Sequence, residues 1–408
     1  MNFEDKLDTL AQLAVTVGVA LQPGQKLVIQ APVECAPLAR ACVRRAYQAG
    51  ARLVDVLWVD DDLTLSRFTL APADSFNVYP AWRAEAMQAM ADEQGAVIYI
   101  RGEDPELLAG VNPDSISAYR TAEAKALRKY NEQRDLGAVN WTIIGGPTLG
   151  WAKRVFPNDE PGVALEKLWD AVFAAARADR ENAVGVWSAH IKNLLKWSAY
   201  LNERRYDALH FTGPGTDLTI GLPEGHEWRS GQFVTKYGLP YTANIPTEEV
   251  FTMPHRLRVE GTVSSTKPLN YGGSLIDGVN VKFEGGRVVA ATAKRGQAVL
   301  ERILDTDEGA RRLGEVALVP NSSPISRSGV LFHHTLFDEN AACHIAVGRS
   351  YHATLTGSES LSAEEYAAAG GNDSLLHVDW MIGSGEVSID GLKGETTEPV
   401  MRQGEFTF

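Results

Sequence analysis

Short apolar runs alternate with helix-like segments in the first part of the chain, up to Gly150. The runs are typical of buried strands, and the segments around them have apolar residues at helical spacing. Strands alternating with helices predict a parallel sheet covered on both faces, that is, an α/β fold. The predicted strands are residues 26–32, 52–59, 96–102 and 140–146, and the predicted helices are near residues 3–14, 36–49, 80–91 and 115–130.

The pattern changes near residue 205. Two long helical patterns between Glu160 and Arg205 lead into short alternating segments that glycines interrupt. Such alternation is typical of antiparallel strands, and one further helix is predicted near residues 295–304. We therefore expect two domains. Residues 1–205 form an α/β scaffold with bridging helices, and residues 206–408 form an α+β domain that is largely antiparallel β.

Composition places the chain among soluble globular proteins. Its 408 residues are more than one core ordinarily supports, and 44% of them are hydrophobic and 22% charged. The net charge of −13 argues against nucleic acid or anionic lipid as a partner. No apolar run approaches the length of a membrane span. We therefore predict neither a nucleic-acid partner nor a membrane partner.

The N-terminus and the cysteines favour the cytoplasm. The first residues are apolar enough to suggest a signal peptide, but Glu4, Asp5 and Asp8 occupy the region that should be basic. The three cysteines, Cys35, Cys42 and Cys343, form no CxxC pair and no plausible disulfide framework. A reducing, cytoplasmic location is the expectation.

The α/β pattern invites a nucleotide-binding interpretation, which the glycines do not support. Residues 145–150 read GGPTLG and residues 213–218 read GPGTDL. Neither is the GxGxxG fingerprint or a P-loop. Aspartates 60–62 follow the second strand, but no glycine-rich turn follows the first strand to hold phosphates. We predict no nucleotide cofactor.

Ionisable residues concentrate in residues 331–355, LFHHTLFDENAACHIAVGRSYHATL. This segment holds four of the nine histidines, together with Asp338 and Glu339. Such groups are costly to bury among apolar residues unless they meet protons, one another or a cation. A metal site in the C-terminal half is therefore the leading interpretation.

Further candidates flank this segment. His377 and Asp379 are two residues apart, so in a strand they face the same side. Only one of Glu248 and Glu249 can face inward in an extended segment, and Glu315 stands alone among Leu and Val. Each has an ordinary structural explanation, such as a solvated edge residue or a surface pair. Their concentration in one half favours a shared site.

Four segments resemble one enzyme family. IPTEEVFTMP, GEVALVP, SGVLFHHTLFDENAACHIAVGRSY and HVDWMIGSGEVSIDG are similar, in order, to the thermophilic-type metallo-aminopeptidases, which include aminopeptidase T, aminopeptidase S and PepS. The resemblance covers the whole chain. It implies a site for two divalent ions and a catalytic tyrosine, Tyr351, near the scissile bond. The implied ligands are Glu249, Glu315, Glu339, His344, His377 and Asp379.

The resemblance also implies what the site does. Oxygen and nitrogen ligands suit zinc, cobalt, manganese or magnesium, and the absence of cysteine among them argues against a closed structural zinc site. We expect an aminopeptidase that removes the first residue of short peptides with a free N-terminus, using water activated by two metals. Glu315 or Glu339 is the expected shared carboxylate, and Tyr351 is the expected oxyanion donor.

Assembly and alternative functions remain open in the sequence. The resemblance implies a homodimer, and the aromatic segment from Trp187 to Tyr200 either contributes to an interface or packs within the chain. One alternative function is a metal-dependent amidohydrolase acting on non-peptide amides or acyl-amino acids. Another is a metal-bound scaffold that does not turn over.

Overall fold

The structure is a computed structural model that describes residues 1–271 and 274–408. Helices dominate the chain as far as residue 204. In chain order the helices there are α1 (Phe3–Leu13), α2 (Ala36–Gln48), α3 (Asp61–Leu70), α4 (Ala81–Asp92), α5 (Pro113–Asp135), α6 (Leu149–Val155), α7 (Pro161–Ala175) and α8 (Ala183–Arg204). The strands among them are β1 (Lys26–Pro32), β2 (Leu53–Val59), β3 (Ala96–Arg101) and β4 (Asn140–Gly145).

Strands dominate the rest. They are β5 (Ala208–Gly213), β6 (Thr216–Gly221), β7 (Arg229–Ser230), β8 (Gln232–Val234), β9 (Pro240–Thr242), β10 (Asn244–Ile245), β11 (Val250–Thr252), β12 (Val259–Ser264), β13 (Leu269–Tyr271), β14 (Ser274–Ile276), β15 (Asn280–Glu284), β16 (Arg287–Thr292), β17 (Leu313–Leu318), β18 (His344–Gly348), β19 (His377–Met381), β20 (Ser388–Lys393), β21 (Thr396–Arg402) and β22 (Glu405–Phe406). The helices are α9 (Gln297–Leu304), α10 (Pro324–Ser328), α11 (Thr335–Asp338) and α12 (Ala363–Ala368). Among the described residues, no helix is both long enough and apolar enough to cross a membrane.

The chain divides into two compact units. One contains Met1–His190 together with Gln232–Pro246, and the other contains Ile191–Gly231 together with Thr247–Phe408. The predicted domain division near residue 205 stays a prediction.

The first unit is built on a parallel sheet of five strands in the order β10-β4-β3-β1-β2. The central strands β1 and β3 are almost wholly buried, as expected for parallel strands with both faces covered. The predicted α/β class is therefore confirmed. Aspartates 60–62 begin helix α3, because the Asp60 side chain accepts a hydrogen bond from the Leu63 N–H at 2.9 Å.

The second unit contains two larger antiparallel sheets. The eight-stranded sheet has the order β16-β15-β12-β6-β5-β20-β21-β22, and the five-stranded sheet has the order β19-β18-β17-β11-β7. One apolar core joins their buried faces, with Phe211 and Leu218 from the first sheet and Val316, Ile345 and Trp380 from the second. The predicted antiparallel C-terminal fold is confirmed. The opposite face of the five-stranded sheet carries several polar residues.

The aromatic residues of α8 pack within the chain. Trp187 is fully buried and donates a hydrogen bond to the Ala176 carbonyl at 2.7 Å. Trp197 stacks on Phe406, and Tyr200 stacks on Phe408 at a ring separation of 3.6 Å. These contacts show packing within the chain, and a contribution of this segment to a dimer interface stays a prediction.

Candidate metal centre

Three neighbouring strands bring four of the predicted ligands onto one face of a sheet. Glu315 of β17 and Asp379 of β19 are both paired with Ala346 of β18. His344 of β18 pairs with Ala317 and with Met381, and His377 of β19 pairs with Gly348. Directly paired residues project from the same face of a sheet. The alternating residues Val316, Ile345 and Trp380 enter the apolar core, so the ligand candidates must face away from it.

Glu249 reaches the same place from the segment before β11. Its neighbour Val250 is fully buried in the core and pairs with Leu318 of β17. Alternation along the extended chain then turns Glu249 toward the polar face, where Oε2 lies 3.2 Å from Nε2 of His344.

The ligand atoms form two groups that share Glu315. Glu249, Glu315 and His344 form one group, Glu315, His377 and Asp379 form the other, and the atoms within each group lie within 4.8 Å of one another. Oε1 of Glu315 is 3.4 Å from Nε2 of His344, and Oε2 is 3.7 Å from Nε2 of His377. Nε2 of His377 is also 3.3 Å from Oδ1 of Asp379. Each Glu315 oxygen therefore serves a different histidine.

Backbone carbonyls orient both imidazole rings. Nδ1 of His344 lies 3.2 Å from the Ala342 carbonyl oxygen, and Nδ1 of His377 lies 2.7 Å from that of Arg349. With the proton on Nδ1, each ring donates to its carbonyl, and Nε2 faces the carboxylates, where it can bind a cation. Histidines that bind metals are commonly held by such a hydrogen bond from the second nitrogen.

The residues present fit divalent cations. Glu249 Oε2 and Asp379 Oδ1 are buried and receive no hydrogen bond of good geometry, although each lies near a histidine Nε2, and this is costly for carboxylate oxygens. A cation between these oxygens and the Nε2 atoms would compensate that cost. The donor set is carboxylate and imidazole, which suits zinc, cobalt, manganese or magnesium.

The electrostatics show how strongly the cluster attracts positive charge. Burial opposes charge on the His377 ring, but Asp379 and Glu315 outweigh it and raise its pKa to about 9. Burial raises the pKa of Glu315, and the charges of Asp379 and Glu249 add to this, although both histidines oppose it. Burial also raises the pKa of Asp379, but His377 outweighs it, so the pKa is lowered. Such opposed shifts within one cluster are common at functional sites.

Glu339 and Tyr351 lie beside the two groups rather than within them. Burial and the charge of Glu249 raise the pKa of Glu339 well above its ordinary value. The Tyr351 ring lies 4.8 Å from that of His377, and 40% of the residue is exposed. Burial of its hydroxyl and the charges of Glu315 and Asp379 raise the Tyr351 pKa. The hydroxyl therefore stays protonated at neutral pH, within the field of the cluster.

A cavity opens onto the cluster. Glu339 and Asp379 form part of its wall, and His333 and His334 line it rather than joining either ligand group. The Asp338 carboxylate holds this wall by accepting hydrogen bonds from the N–H groups of Phe332 at 2.8 Å and His334 at 3.0 Å. Other lining residues include Pro268, Leu269, Asn270 and Met381.

The sequence profile of the thermophilic metalloproteases, M29, matches residues 3–406. The chain belongs to this family. It is 46% identical to aminopeptidase T of Thermus thermophilus over 99% of both chains. It is also 43% identical to aminopeptidase AmpS of Bacillus subtilis over the full length of both. The solved structure of wild-type AmpT from Thermus thermophilus covers 100% of both chains with a TM-score of 0.94 and 44% identity.

These comparisons confirm the family and enzyme class that the four segments predict. The M29 family consists of metalloproteases, which are hydrolases acting on peptide bonds. The individual ligand and catalytic assignments stay predictions, which the geometry above supports. The sequence alone does not single out Asn340, because an asparagine inside an ionisable segment carries no periodic signal.

Proposed function

We propose that this M29 protein is an aminopeptidase that removes the N-terminal residue of short peptides with the help of two divalent ions. The observation that carries this proposal is the position of Glu315. Its two carboxylate oxygens serve two separate donor groups, 3.4 Å from His344 and 3.7 Å from His377. A carboxylate shared in this way is typical of two-metal hydrolases. The relatives' names, aminopeptidase T and AmpS, support the exopeptidase class.

The two ions, from zinc, cobalt, manganese or magnesium, would be held by two sets of residues. Glu249, Glu315 and His344 would hold one ion, with Glu339 beside them. Glu315, His377 and Asp379 would hold the other. When bound, such ions lower the pKa of water and polarise the scissile carbonyl.

The chain's own residues supply orientation and protons. Glu315 fixes the two donor groups relative to each other. The Tyr351 hydroxyl, which is protonated at neutral pH, donates a hydrogen bond to the oxyanion of the tetrahedral intermediate. Asp379 on the cavity wall, whose carboxyl pKa is lowered, places negative charge where a protonated α-amine would enter. This charge favours substrates with a free N-terminus.

Hydrolysis of aminoacyl-p-nitroanilides with added metals, beside N-acetylated analogues, tests the proposal. We expect cleavage of the free-amine substrates only, with loss of turnover in Glu315→Gln. Equal cleavage of the blocked substrates would instead identify an amidohydrolase acting on acyl-amino acids or non-peptide amides. Absence of turnover with every metal, while the metals bind, would identify a non-catalytic scaffold.

We also propose that the protein is a cytoplasmic homodimer. The family resemblance supports the dimer, and the three cysteines, all free and buried, suit a reducing compartment. Light scattering of the purified protein tests the assembly, and a strictly monomeric mass would contradict it. If the dimer encloses the site, long chains are excluded by size, and cleavage rates should then fall steeply with peptide length.

A further inference from the structure

Asn340 is a buried polar residue beside the metal centre. It lies in the short turn Glu339–Ala341, between the predicted ligands Glu339 and His344, and it is fully buried. Its Oδ1 accepts a hydrogen bond from the Glu248 N–H at 2.6 Å. Its Nδ2 donates to the Leu336 carbonyl at 3.0 Å and lies 3.5 Å from Oε1 of Glu339.

This one side chain joins two segments that carry predicted ligands. Glu248 directly precedes Glu249 and is 92 residues away from Asn340 in the chain. The backbone of Asn340 is itself held, because the Ser323 hydroxyl donates to its carbonyl at 2.9 Å. The position of the Glu249 segment relative to the Glu339 carboxylate therefore depends on a side chain that has little freedom to move.

The amide group of Asn340 is required because its oxygen accepts one hydrogen bond and its nitrogen donates another. An apolar residue of similar size would leave the buried Glu248 N–H without an acceptor. An aspartate at this position would lack the two N–H donors of the amide. In contrast, none of the hydrogen bonds of Asn340 reaches Glu315, His377 or Asp379. Those three residues are placed by the paired strands β17, β18 and β19.

We propose that Asn340 is a positioning residue for one of the two ions: it fixes the Glu249 segment and the Glu339 carboxylate around His344, and it leaves the His377–Asp379 group unaffected. This inference rests on the proposed two-metal function. Partners that orient ligands typically contribute a factor of about 10–100 to metal affinity. Replacing Asn340 is expected to weaken one binding step by about that factor and to change the other much less.

The test is titration of the metal-free, full-length protein with Co²⁺, followed by visible absorption and by competition with a chelator. The variants are Asn340→Ala and Asn340→Leu, since leucine has the same branched shape as asparagine, fills the site and has no polar atom. We expect both variants to lose affinity for one ion by about 10–100-fold. Wild-type affinity in Asn340→Leu would show that packing alone matters and would overturn the inference.

A matched control separates positioning from general loss of stability. Asn140 is also fully buried and accepts hydrogen bonds from Gln25 at 2.8 Å and Tyr237 at 3.0 Å, but it belongs to the first unit. Asn140→Ala is expected to lower the melting temperature with both Co²⁺ affinities unchanged. Equal weakening of both binding steps in the two Asn340 variants would overturn the inference, because it indicates a merely structural role.

Glu249→Ala distinguishes failure of this inference from failure of the proposed function. If Glu249→Ala binds Co²⁺ as wild type does, the proposed metal site is wrong. If Glu249→Ala loses one ion while both Asn340 variants keep wild-type affinities, the metal site stands and the positioning role of Asn340 is wrong. Weakening of the same binding step in the Asn340 variants and in Glu249→Ala supports both.

Discussion

Glu315 and Asp379 lie on strands on either side of β18 and are both paired with the same small residue, Ala346. Only a methyl group therefore projects from the sheet between the two carboxylates. Ala346 is fully buried, and the small side chain leaves the space in which cations would be bound.

Filling this space should remove metal binding. Ala346→Leu places a branched side chain between the two carboxylates, and overpacking of this kind costs about 1–3 kcal/mol of stability. We expect a folded protein of lower melting temperature that retains little metal after dialysis, as measured by atomic emission. Ala346→Gly adds no volume and should keep its metal. Equal metal content in the two variants would contradict the prediction.

Tyr351→Phe isolates the role of a single hydroxyl. Loss of an oxyanion donor lowers kcat by about 10²–10³-fold. The ring and its contact with His377 remain, and the residue is 40% exposed, so the melting temperature should not change. The control is Tyr99→Phe, which removes a buried hydroxyl that lies 2.8 Å from that of Tyr130. It should lower stability and leave kcat unchanged. A Tyr351→Phe enzyme with wild-type kcat would remove this residue from the mechanism.

Metal removal should abolish activity and reduce stability together. A ligand that binds only the folded state stabilises it by about 2.7 kcal/mol when its free concentration is 100 times Kd, for a single site. We expect chelation to lower the free energy of unfolding in urea by at least this amount, and Co²⁺ or Zn²⁺ to restore both stability and turnover. Full activity after chelation, with metal content verified as nil, would end the two-metal proposal.

The carboxyl group of Asp307, which is not a predicted metal ligand, makes the stability of the protein depend on pH. Burial would raise the pKa of its carboxyl, but hydrogen bonds from Leu375 N–H at 2.7 Å, the Ser374 hydroxyl and Ala310 N–H outweigh this and lower it below 3.8. A folded-state pKa below the unfolded value stabilises the protein above about pH 4, and the contribution is lost as pH falls through the folded-state pKa.

Urea unfolding at pH 6 and at pH 3 measures this effect. Asp307→Asn should be less stable than wild type at pH 6, and the difference between the two proteins should shrink at pH 3. A difference independent of pH would mean that the carboxylate charge of Asp307 contributes nothing. Because Ser374 and Leu375 precede β19, the variant also tests how firmly that strand is held.

Several elements could be predicted from the sequence because one physical signal dominates each. Strand β1 was predicted with the bounds it has, since a strand buried on both faces is a continuous apolar run. Helix α3 was not predicted, because Leu63 and Leu70 are 72% and 83% exposed and give no amphipathic pattern. The fifth strand of the parallel sheet, Asn244–Ile245, is two residues long and comes from a distant part of the chain.

In the site too, local spacing can be predicted from the sequence, whereas contacts between distant segments cannot. Two-residue spacing predicts that His377 and Asp379 face one side, and the structure places Oδ1 of Asp379 3.3 Å from Nε2 of His377. The choice between Glu315 and Glu339 as the shared carboxylate could not be made from spacing. It depends on which oxygen approaches which histidine, and this favours Glu315. The contact of Asn340 with Glu248 crosses 92 residues and leaves no local pattern.

Sharing of Glu315 by the two donor groups has a thermodynamic consequence. The single negative charge of the Glu315 carboxylate would be divided between the two ions. The first ion would also fix the carboxylate in the orientation that the second ion requires. In the proposed two-ion site the two binding constants would therefore be coupled, with repulsion opposing preorganisation. By linkage, the energy with which one ion alters binding of its neighbour must equal the energy of the reverse effect. If the proposed two ions bind, two coupled constants, rather than two independent equilibria, describe how the protein responds to the free metal concentration around it.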